Sequence, residues 1–271
     1  MHMPTIPGFD LPLTAGSGQC FRFVREAEGF RVIASGRVLR MRHAGGDRYE
    51  VDCSPHEWNG FWHDYFDLGR DYQTVHAAVP ADDLFLQDAL RHAGGLRILR
   101  QEPWETLIGF IVSQRKNLPA IQGCMEQMAR RFGTQLEEGV HAFPTPQQLA
   151  EQSIEALNAC GLGYRSRYIQ GTARLVASGT ADLDAWRGLD DAGLMQALCT
   201  LPGVGVKVAN CVMLFAYQRM DAFPRDVWIL RVEQEHYGGR FREEDYPGIA
   251  GILQQYMFCY RRSPHPAGPA P

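Results

Sequence analysis

A lysine inside an apolar run is the residue of this chain best placed to do covalent chemistry. Lys207 closes the stretch L-P-G-V-G-V-K and is the only charged residue from Ala192 to Gln218. Burial and a helix N-terminus both disfavour an ammonium, so this amine should be easier to deprotonate. A neutral lysine amine is a nucleophile that forms a Schiff base with an aldehyde-level carbon. A lysine at the edge of an apolar core that reaches out to solvent is the structural alternative.

The glycines before Lys207 predict a hairpin between two buried helices. Gly203 and Gly205 supply the backbone freedom that such a turn needs, and with Pro202 they break the run too often for a membrane span. Main-chain N–H groups of Gly203, Gly205 and Val206 at the helix start suit a phosphate. A phosphate-binding hairpin beside a nucleophilic lysine indicates covalent chemistry on a nucleic-acid sugar.

Asp226 follows this helix and completes a recognisable order of features. It comes after Pro224 and directly before a predicted helix that starts at Val227, which makes it a natural N-cap that the helix dipole keeps ionised. An N-cap aspartate alone is usually structural. The order of hairpin, lysine, apolar helix and aspartate, however, resembles the helix-hairpin-helix (HhH-GPD) superfamily of DNA glycosylases. The lysine is similar to that of bifunctional members, which remove a base and cut the strand.

Composition limits how this chain could bind DNA. Its 271 residues, with 45% hydrophobic content, allow one large or two modest domains, and its net charge is −4. Because the chain is not basic overall, DNA binding must use a local patch, main-chain N–H groups and inserted side chains. The candidate cations of that patch are Arg115, Lys116, Arg165, Arg167, Arg261 and Arg262.

The cysteines and the sequence ends bear on cofactors and location. The seven cysteines are odd in number and widely spaced without a C-x-x-C, which favours reduced thiols over zinc or an iron–sulfur cluster. We therefore expect no cofactor in catalysis. No signal peptide or membrane segment is visible, so cytoplasm and no membrane partner are the expectation, with a monomer as the assembly.

The sequence predicts an α+β fold. Short strands rich in strand formers fill residues 20–53, with a hairpin signal at 44–47, and helical periodicity follows from about residue 82. We expect a twisted antiparallel sheet domain with a flanking helix over 1–98. A mostly α-helical HhH region over 99–262 follows, as two helical subdomains with a cleft between them. A disordered tail is expected over 263–271.

The segment G-Q-C-F-R, which starts at Gly18, resembles the N-terminal motif of the 8-oxoguanine DNA glycosylases. That resemblance implies that the Gly18 carbonyl accepts a hydrogen bond from N7–H of the damaged base. Normal guanine has a bare acceptor at N7, and an unmade buried hydrogen bond costs about 1–3 kcal/mol, which discriminates between the two. By the same resemblance, Gln254 reads the Watson–Crick edge, and Phe258 and Cys211 stack on the two faces of the base.

Two loops resemble the parts of this family that open the duplex. In S-Q-R-K-N, which ends with Lys116 and Asn117, Arg115 matches the residue that fills the hole left by the flipped base. The best-known members carry asparagine there and an arginine five residues on, where this chain has Ala120. The resemblance therefore implies a relaxed preference for the opposite base. In G-L-G-Y-R, Tyr164 and Arg165 match a wedge that bends the duplex.

Two further features complete what the resemblance implies. Trp228 stands where the best-known members carry a histidine near the 5′ phosphate. Main-chain carbonyls of Cys199, Leu201 and Val204 match positions that hold a structural cation between hairpin and phosphate.

Together these features predict a bifunctional glycosylase/lyase for 8-oxoguanine in double-stranded DNA. Three alternatives stay open at this point. The first is a monofunctional glycosylase for alkylated or mismatched bases, the second a non-catalytic HhH DNA-binding module, and the third a soluble protein with a buried lysine and no DNA role.

Overall fold

A four-stranded antiparallel sheet forms the first part of the fold. The structure, a computed structural model, describes residues 2–263. After the short helix α1, Leu11–Gly16, the strands follow one another in the sheet in chain order. Their bounds are β1 Phe23–Glu26, β2 Gly29–Ala34, β3 Arg37–His43 and β4 Tyr49–Val51. The predicted antiparallel sheet is confirmed, although the first strand starts two residues later than Phe21.

Tight turns fix the register of the sheet. Ala34 pairs with Arg37 across a two-residue turn, in which Ser35 and Gly36 have φ of +48° and +71°. Positive φ at both central positions is the type I′ geometry that matches the twist of the strands. The predicted hairpin at 44–47 joins β3 to β4. The Gly18 segment enters this sheet directly before β1, so the sheet anchors it.

Helices make up the rest of the described chain. Short helices and a π-helical turn cover the sheet. The helices are α2 Pro55–Glu57, α3 His63–Tyr65 and α4 Tyr72–Ala77, and the π-helical turn between α2 and α3 is Trp58–Trp62. The longer helices and a small hairpin follow as α5 Leu84–Ala93, α6 Pro103–Ser113, α7 Leu118–Phe132, β5 Gln135–Glu137, β6 Val140–His141, α8 Pro146–Ala150, α9 Ile154–Asn158 and α10 Arg165–Ala177. The last are a 3₁₀ turn Ala185–Gly188, α11 Asp191–Cys199, α12 Val206–Ala216, α13 Val227–His236, a 3₁₀ turn Glu243–Asp245 and α14 Ala250–Arg262.

Two apolar cores divide the molecule. One lies between the sheet and the helical turns after it, and includes Trp62, Phe66 and Leu99. The other fills the helical region and also takes in Phe21, whose ring meets that of Phe110 edge-on at 5.3 Å. Helix α5 packs against α14 in this second core, which places residues 84–93 against the last helix of the chain. The predicted domain limits stay a prediction.

The sequence also predicts a disordered tail over 263–271 and no membrane segment. Of the tail predicted over 263–271, only Ser263 lies within the described residues. Its N–H donates to the carbonyls of Cys259 and Tyr260 in the last turn of α14. Across residues 2–263, helices fall short of the length and apolar character that crossing a membrane requires.

Candidate active site

Lys207 lies in the first turn of α12, as the sequence predicts. It is half-buried, its Nζ atom is 5.4 Å from the centre of the Phe110 ring, and it lies close enough to Cys211, one turn on, to act on that thiol. Within residues 2–263 no carboxylate oxygen lies within 4.0 Å of this amine. The amine is therefore held among apolar and sulfur atoms rather than in an ion pair.

The hairpin before α12 needs only one of its two glycines for backbone conformation. Gly203 has φ of +79°, and a Cβ there would lie 2.6 Å from the Tyr168 ring, so both conformation and space demand glycine. Gly205 has φ of −105° with open space around it. The prediction that the turn needs the backbone freedom of both glycines therefore holds for Gly203 and not for Gly205. As an N-cap without a side chain, Gly205 instead leaves the first N–H groups of α12 unobstructed for a ligand.

Asp226 caps α13, and its predicted N-cap position is confirmed. Its Oδ1 atom accepts hydrogen bonds from the N–H groups of Trp228 at 2.9 Å and Ile229 at 3.0 Å. The carboxylate is close enough to Cys211 to raise the pKa of that thiol, while Lys207 acts on the same thiol in the opposite direction. The thiol thus lies in the fields of both residues, which puts amine and carboxylate in one site.

The segment that leads into Asp226 is fixed from three sides. Asn210 of α12 accepts from the N–H of Phe223 at 3.2 Å, and Gln254 of α14 donates to the Pro224 carbonyl at 3.0 Å. Arg225 reaches Glu233 at 2.9 Å and Glu243 at 2.6 Å. Sequence reasoning missed Asn210 and Arg225 as positioning residues. The adjacency of an arginine to Asp226 is the signal that could have found the second.

Two of the predicted base-pocket residues, Gly18 before the sheet and Phe258 of α14, lie side by side. Gly18 has φ of +78°, and a Cβ on it would lie 3.8 Å from the Phe258 ring of α14. Within residues 2–263 the Gly18 carbonyl receives no hydrogen bond, so it is free to accept one from a ligand. Cys211 projects from α12, and burial raises the pKa of its thiol, which keeps it neutral and suited to stack on a base.

Gln254 is buried and has partners at both ends of its amide. Its nitrogen donates to Pro224, and its oxygen accepts from Gln255 at 2.8 Å. A primary amide carries two N–H donors and two acceptor lone pairs, so one of each remains for a ligand. The predicted contact with a base edge is compatible with this geometry and stays a prediction.

The loop after α6 combines a strained residue with a helix cap. Arg115 is exposed with φ of +53°, a left-handed conformation that arginine seldom adopts and asparagine adopts more readily. Lys116 donates to the Gly161 carbonyl at 3.0 Å, and Asn117 caps α7 by accepting from the Ala120 N–H at 3.0 Å. Lys116 thus joins the two predicted DNA loops.

The predicted wedge separates into one exposed and one buried residue. Tyr164 is 53% exposed, whereas Arg165 is only 6% exposed and stacks on Tyr164 at 4.4 Å. The Arg165 guanidinium donates to the carbonyls of Leu162 and Gln114. Arg165 is expected to insert into the duplex, but in this structure its guanidinium is buried and already donates to these two carbonyls. Gln114, which sequence reasoning did not single out, also donates to the Gly203 carbonyl at 2.9 Å.

Trp228, two residues after Asp226, makes a cation–π contact with an arginine of the same helix. The guanidinium of Arg231 lies 5.3 Å from the centre of the Trp228 ring, one turn along α13. Val206 at the start of α12 is 65% exposed and Val227 at the start of α13 is 57% exposed.

The predicted cation site consists of main-chain oxygens. Leu201 accepts one hydrogen bond, from the Val204 N–H at 3.1 Å, which leaves a lone pair free. Cys199 ends α11, so its carbonyl belongs to the last turn of a helix, where carbonyls lack helical partners. Uncharged carbonyl oxygens of this kind suit a hard monovalent or divalent cation. The residues therefore fit the group, and its binding stays a proposal.

Comparison with known proteins decides the family. Residues 4–107 match the profile described as the 8-oxoguanine DNA glycosylase N-terminal domain, and residues 108–246 match that of the HhH-GPD superfamily of base-excision DNA repair proteins. The chain belongs to the 8-oxoguanine DNA glycosylase family. The family prediction is thereby confirmed.

Similar proteins cover this chain almost completely. A probable N-glycosylase/DNA lyase of Methanothermobacter thermautotrophicus is 31% identical over 97% of this chain and 96% of its own length. A solved structure of MBOgg1 with a low-affinity DNA ligand is 35% identical, with a TM-score of 0.90 over 96% of this chain and 94% of its own.

A third relative was solved with DNA. The 8-oxoguanine glycosylase/lyase of Clostridium acetobutylicum, bound to double-stranded DNA with cytosine opposite 8-oxoguanine, is 31% identical. Its TM-score is 0.88, over 94% of this chain and 92% of its own. These structures also confirm the predicted α+β fold class.

Proposed function

We propose that this protein is a bifunctional base-excision enzyme that removes 8-oxoguanine from double-stranded DNA and then cuts the strand. The observation that carries the proposal is the position of Lys207. Its amine is half-buried beside Phe110 and Cys211, and Asp226 is close enough to act on the same thiol. A relative matched across almost its full length is named as a probable N-glycosylase/DNA lyase, which supports the same pair of activities.

The chemistry begins with base removal. The neutral Lys207 amine attacks C1′ of the extruded nucleotide, the bond from C1′ to N9 breaks, and the base leaves with that electron pair and takes up a proton. Positive charge develops on the sugar in this step, and the fixed carboxylate of Asp226 stabilises it. Tyr164, Arg115 and the N–H groups at the start of α12 hold the opened duplex. The base lies between Phe258 and Cys211, with N7–H on the Gly18 carbonyl.

Strand cleavage uses the same lysine. The bond between C1′ and the ring oxygen then breaks, and the oxygen stays on the sugar as a hydroxyl. C1′ and Nζ are left joined as a protonated Schiff base. This cation acidifies C2′–H, so loss of that proton expels the 3′ phosphate by β-elimination. A cation held by the carbonyls of Cys199, Leu201 and Val204 would supply positive charge between hairpin and phosphate. Arg115, with Ala120 instead of an arginine, supports a relaxed preference for the opposite base.

Borohydride trapping tests this proposal sharply because the chain contains only two lysines, Lys116 and Lys207. Reduction during reaction with an 8-oxoguanine duplex should give a covalent adduct that maps to Lys207. Lys207→Gln should abolish the adduct and excision, while Lys116→Gln, the matched control, should still be trapped. Excision without an adduct would point to a monofunctional enzyme. Unchanged behaviour of Lys207→Gln on damaged DNA would leave only a DNA-binding module.

A further inference from the structure

Arg262 lies beside Gly18 and Phe258, two residues of the predicted base pocket, although the proposed chemistry assigns it no part. It ends α14, one turn after Phe258, and its guanidinium carbon is 4.9 Å from the centre of the Phe258 ring. One of its terminal nitrogens is 3.6 Å from the position of a Cβ built on Gly18. The guanidinium therefore rests on the residue that would stack on the base, beside the residue that would read N7–H.

The contact that holds Arg262 there is weak. Its neighbour Arg261 pairs with Glu235 at 2.9 Å, whereas within residues 2–263 no carboxylate lies within 4.0 Å of Arg262. A cation over an aromatic ring at an exposed site is a weak contact. Stacking of a nucleic-acid base on an aromatic side chain is stronger, so an entering base can displace the guanidinium.

We propose that Arg262 gates the base pocket and then helps to recognise the base. In the free protein it covers Phe258. When an oxidised purine enters, the guanidinium moves aside and donates a hydrogen bond to a carbonyl oxygen of that base. This inference rests on the proposed function, because it concerns the same pocket.

The chemistry of the damaged base matches this pair of residues. 8-Oxoguanine presents N7–H between two carbonyl oxygens at C6 and C8, which makes one donor flanked by two acceptors. The Gly18 carbonyl can take the donor, while a guanidinium, with five donors and no acceptor, can serve only the flanking oxygens. An arginine alone would also bind O6 and N7 of normal guanine. The Gly18 carbonyl prevents this, because it would face the bare N7 acceptor.

Two duplexes separate base recognition from DNA binding in general. One carries 8-oxoguanine opposite cytosine, and the other carries a tetrahydrofuran abasic analogue at the same position and so lacks the base. Arg262→Leu should lower single-turnover excision about tenfold, as expected for one hydrogen bond to a charged group, and leave affinity for the abasic duplex within about twofold. Arg262→Lys, which keeps the charge without the planar fork, should fall between Arg262→Leu and wild type.

Arg240→Leu is the matched control, since Arg240 is exposed and its ion-pair partner within residues 2–263 is Glu244, at 3.2 Å on the surface. It should match wild type on both duplexes, and thermal melting should be alike for all variants. Equal loss of binding to both duplexes would assign Arg262 to the DNA backbone and overturn the inference. An unchanged or faster rate would overturn it too, because the residue would then at most obstruct the pocket. Failure of wild type to excise 8-oxoguanine would instead refute the proposed function.

Discussion

Asp226 combines a structural and a chemical task that one substitution can separate. Asparagine caps helices as well as aspartate does, so Asp226→Asn should keep the N–H groups of Trp228 and Ile229 satisfied. It removes the negative charge that we propose stabilises the sugar cation, so base excision should fall about 100-fold while the free energy of unfolding changes by less than about 0.5 kcal/mol. Single-turnover excision and urea unfolding measure the two effects.

Asp226→Ala serves as the comparison because it removes both the helix cap and the negative charge. It should lose the same activity and, in addition, about 1 kcal/mol of the free energy of unfolding. Full activity of Asp226→Asn would show that the carboxylate is only a cap, and the proposed charge stabilisation would then be wrong.

Local chemistry could be predicted at the residue scale, whereas long-range partners could not. The N-cap role of Asp226 follows from its own side chain and the next three residues, and the structure confirms it. The burial of Arg165 depends on the Gln114 carbonyl, which is 51 positions away in the sequence. No pattern near Arg165 reveals that partner, so the sequence suggested an exposed wedge.

At the scale of elements, the hairpin offers two glycines that should respond differently to the same change. Gly203→Ala adds a methyl group at a left-handed φ and within 2.9 Å of three atoms of Tyr168. The conformational penalty alone is about 1–2 kcal/mol, so the free energy of unfolding should fall by at least that much. Gly205→Ala adds a methyl group in open space at an ordinary φ and should change it by less than about 0.5 kcal/mol.

Urea unfolding of both variants, with binding to an abasic-analogue duplex, checks this prediction. Gly203→Ala should also weaken binding, because the hairpin must shift away from Tyr168. A similar loss of stability for Gly205→Ala would show that its backbone is as constrained as that of Gly203. The sequence alone treated the two glycines alike, since φ depends on the tertiary contact of Gly203 with α10.

For the whole molecule, strong local patterns predicted the sheet and the helical region. The order of strands and helices follows from strand formers, turn glycines and apolar periodicity, each readable within a few residues. Contacts between segments that are far apart in the sequence cannot be read from such local patterns. Gly18 and Phe258 meet because α5 packs on α14 and the sheet carries Gly18 to their side. Before the structure, only a family resemblance placed these two residues together.

Electrostatics of the whole molecule give the last prediction. With a net charge of −4, the protein must bind DNA through few cations and many main-chain N–H groups. Arg165 is engaged internally and Arg262 lies at the predicted base pocket, so Arg115, Arg167 and Arg231 are the exposed cations counted here as phosphate contacts. Each phosphate neutralised contributes a slope of about −0.9, so log K against log salt should fall with a slope of about −3. Fluorescence anisotropy with an abasic-analogue duplex measures it. A slope steeper than about −6 would require a broad basic surface that this net charge opposes.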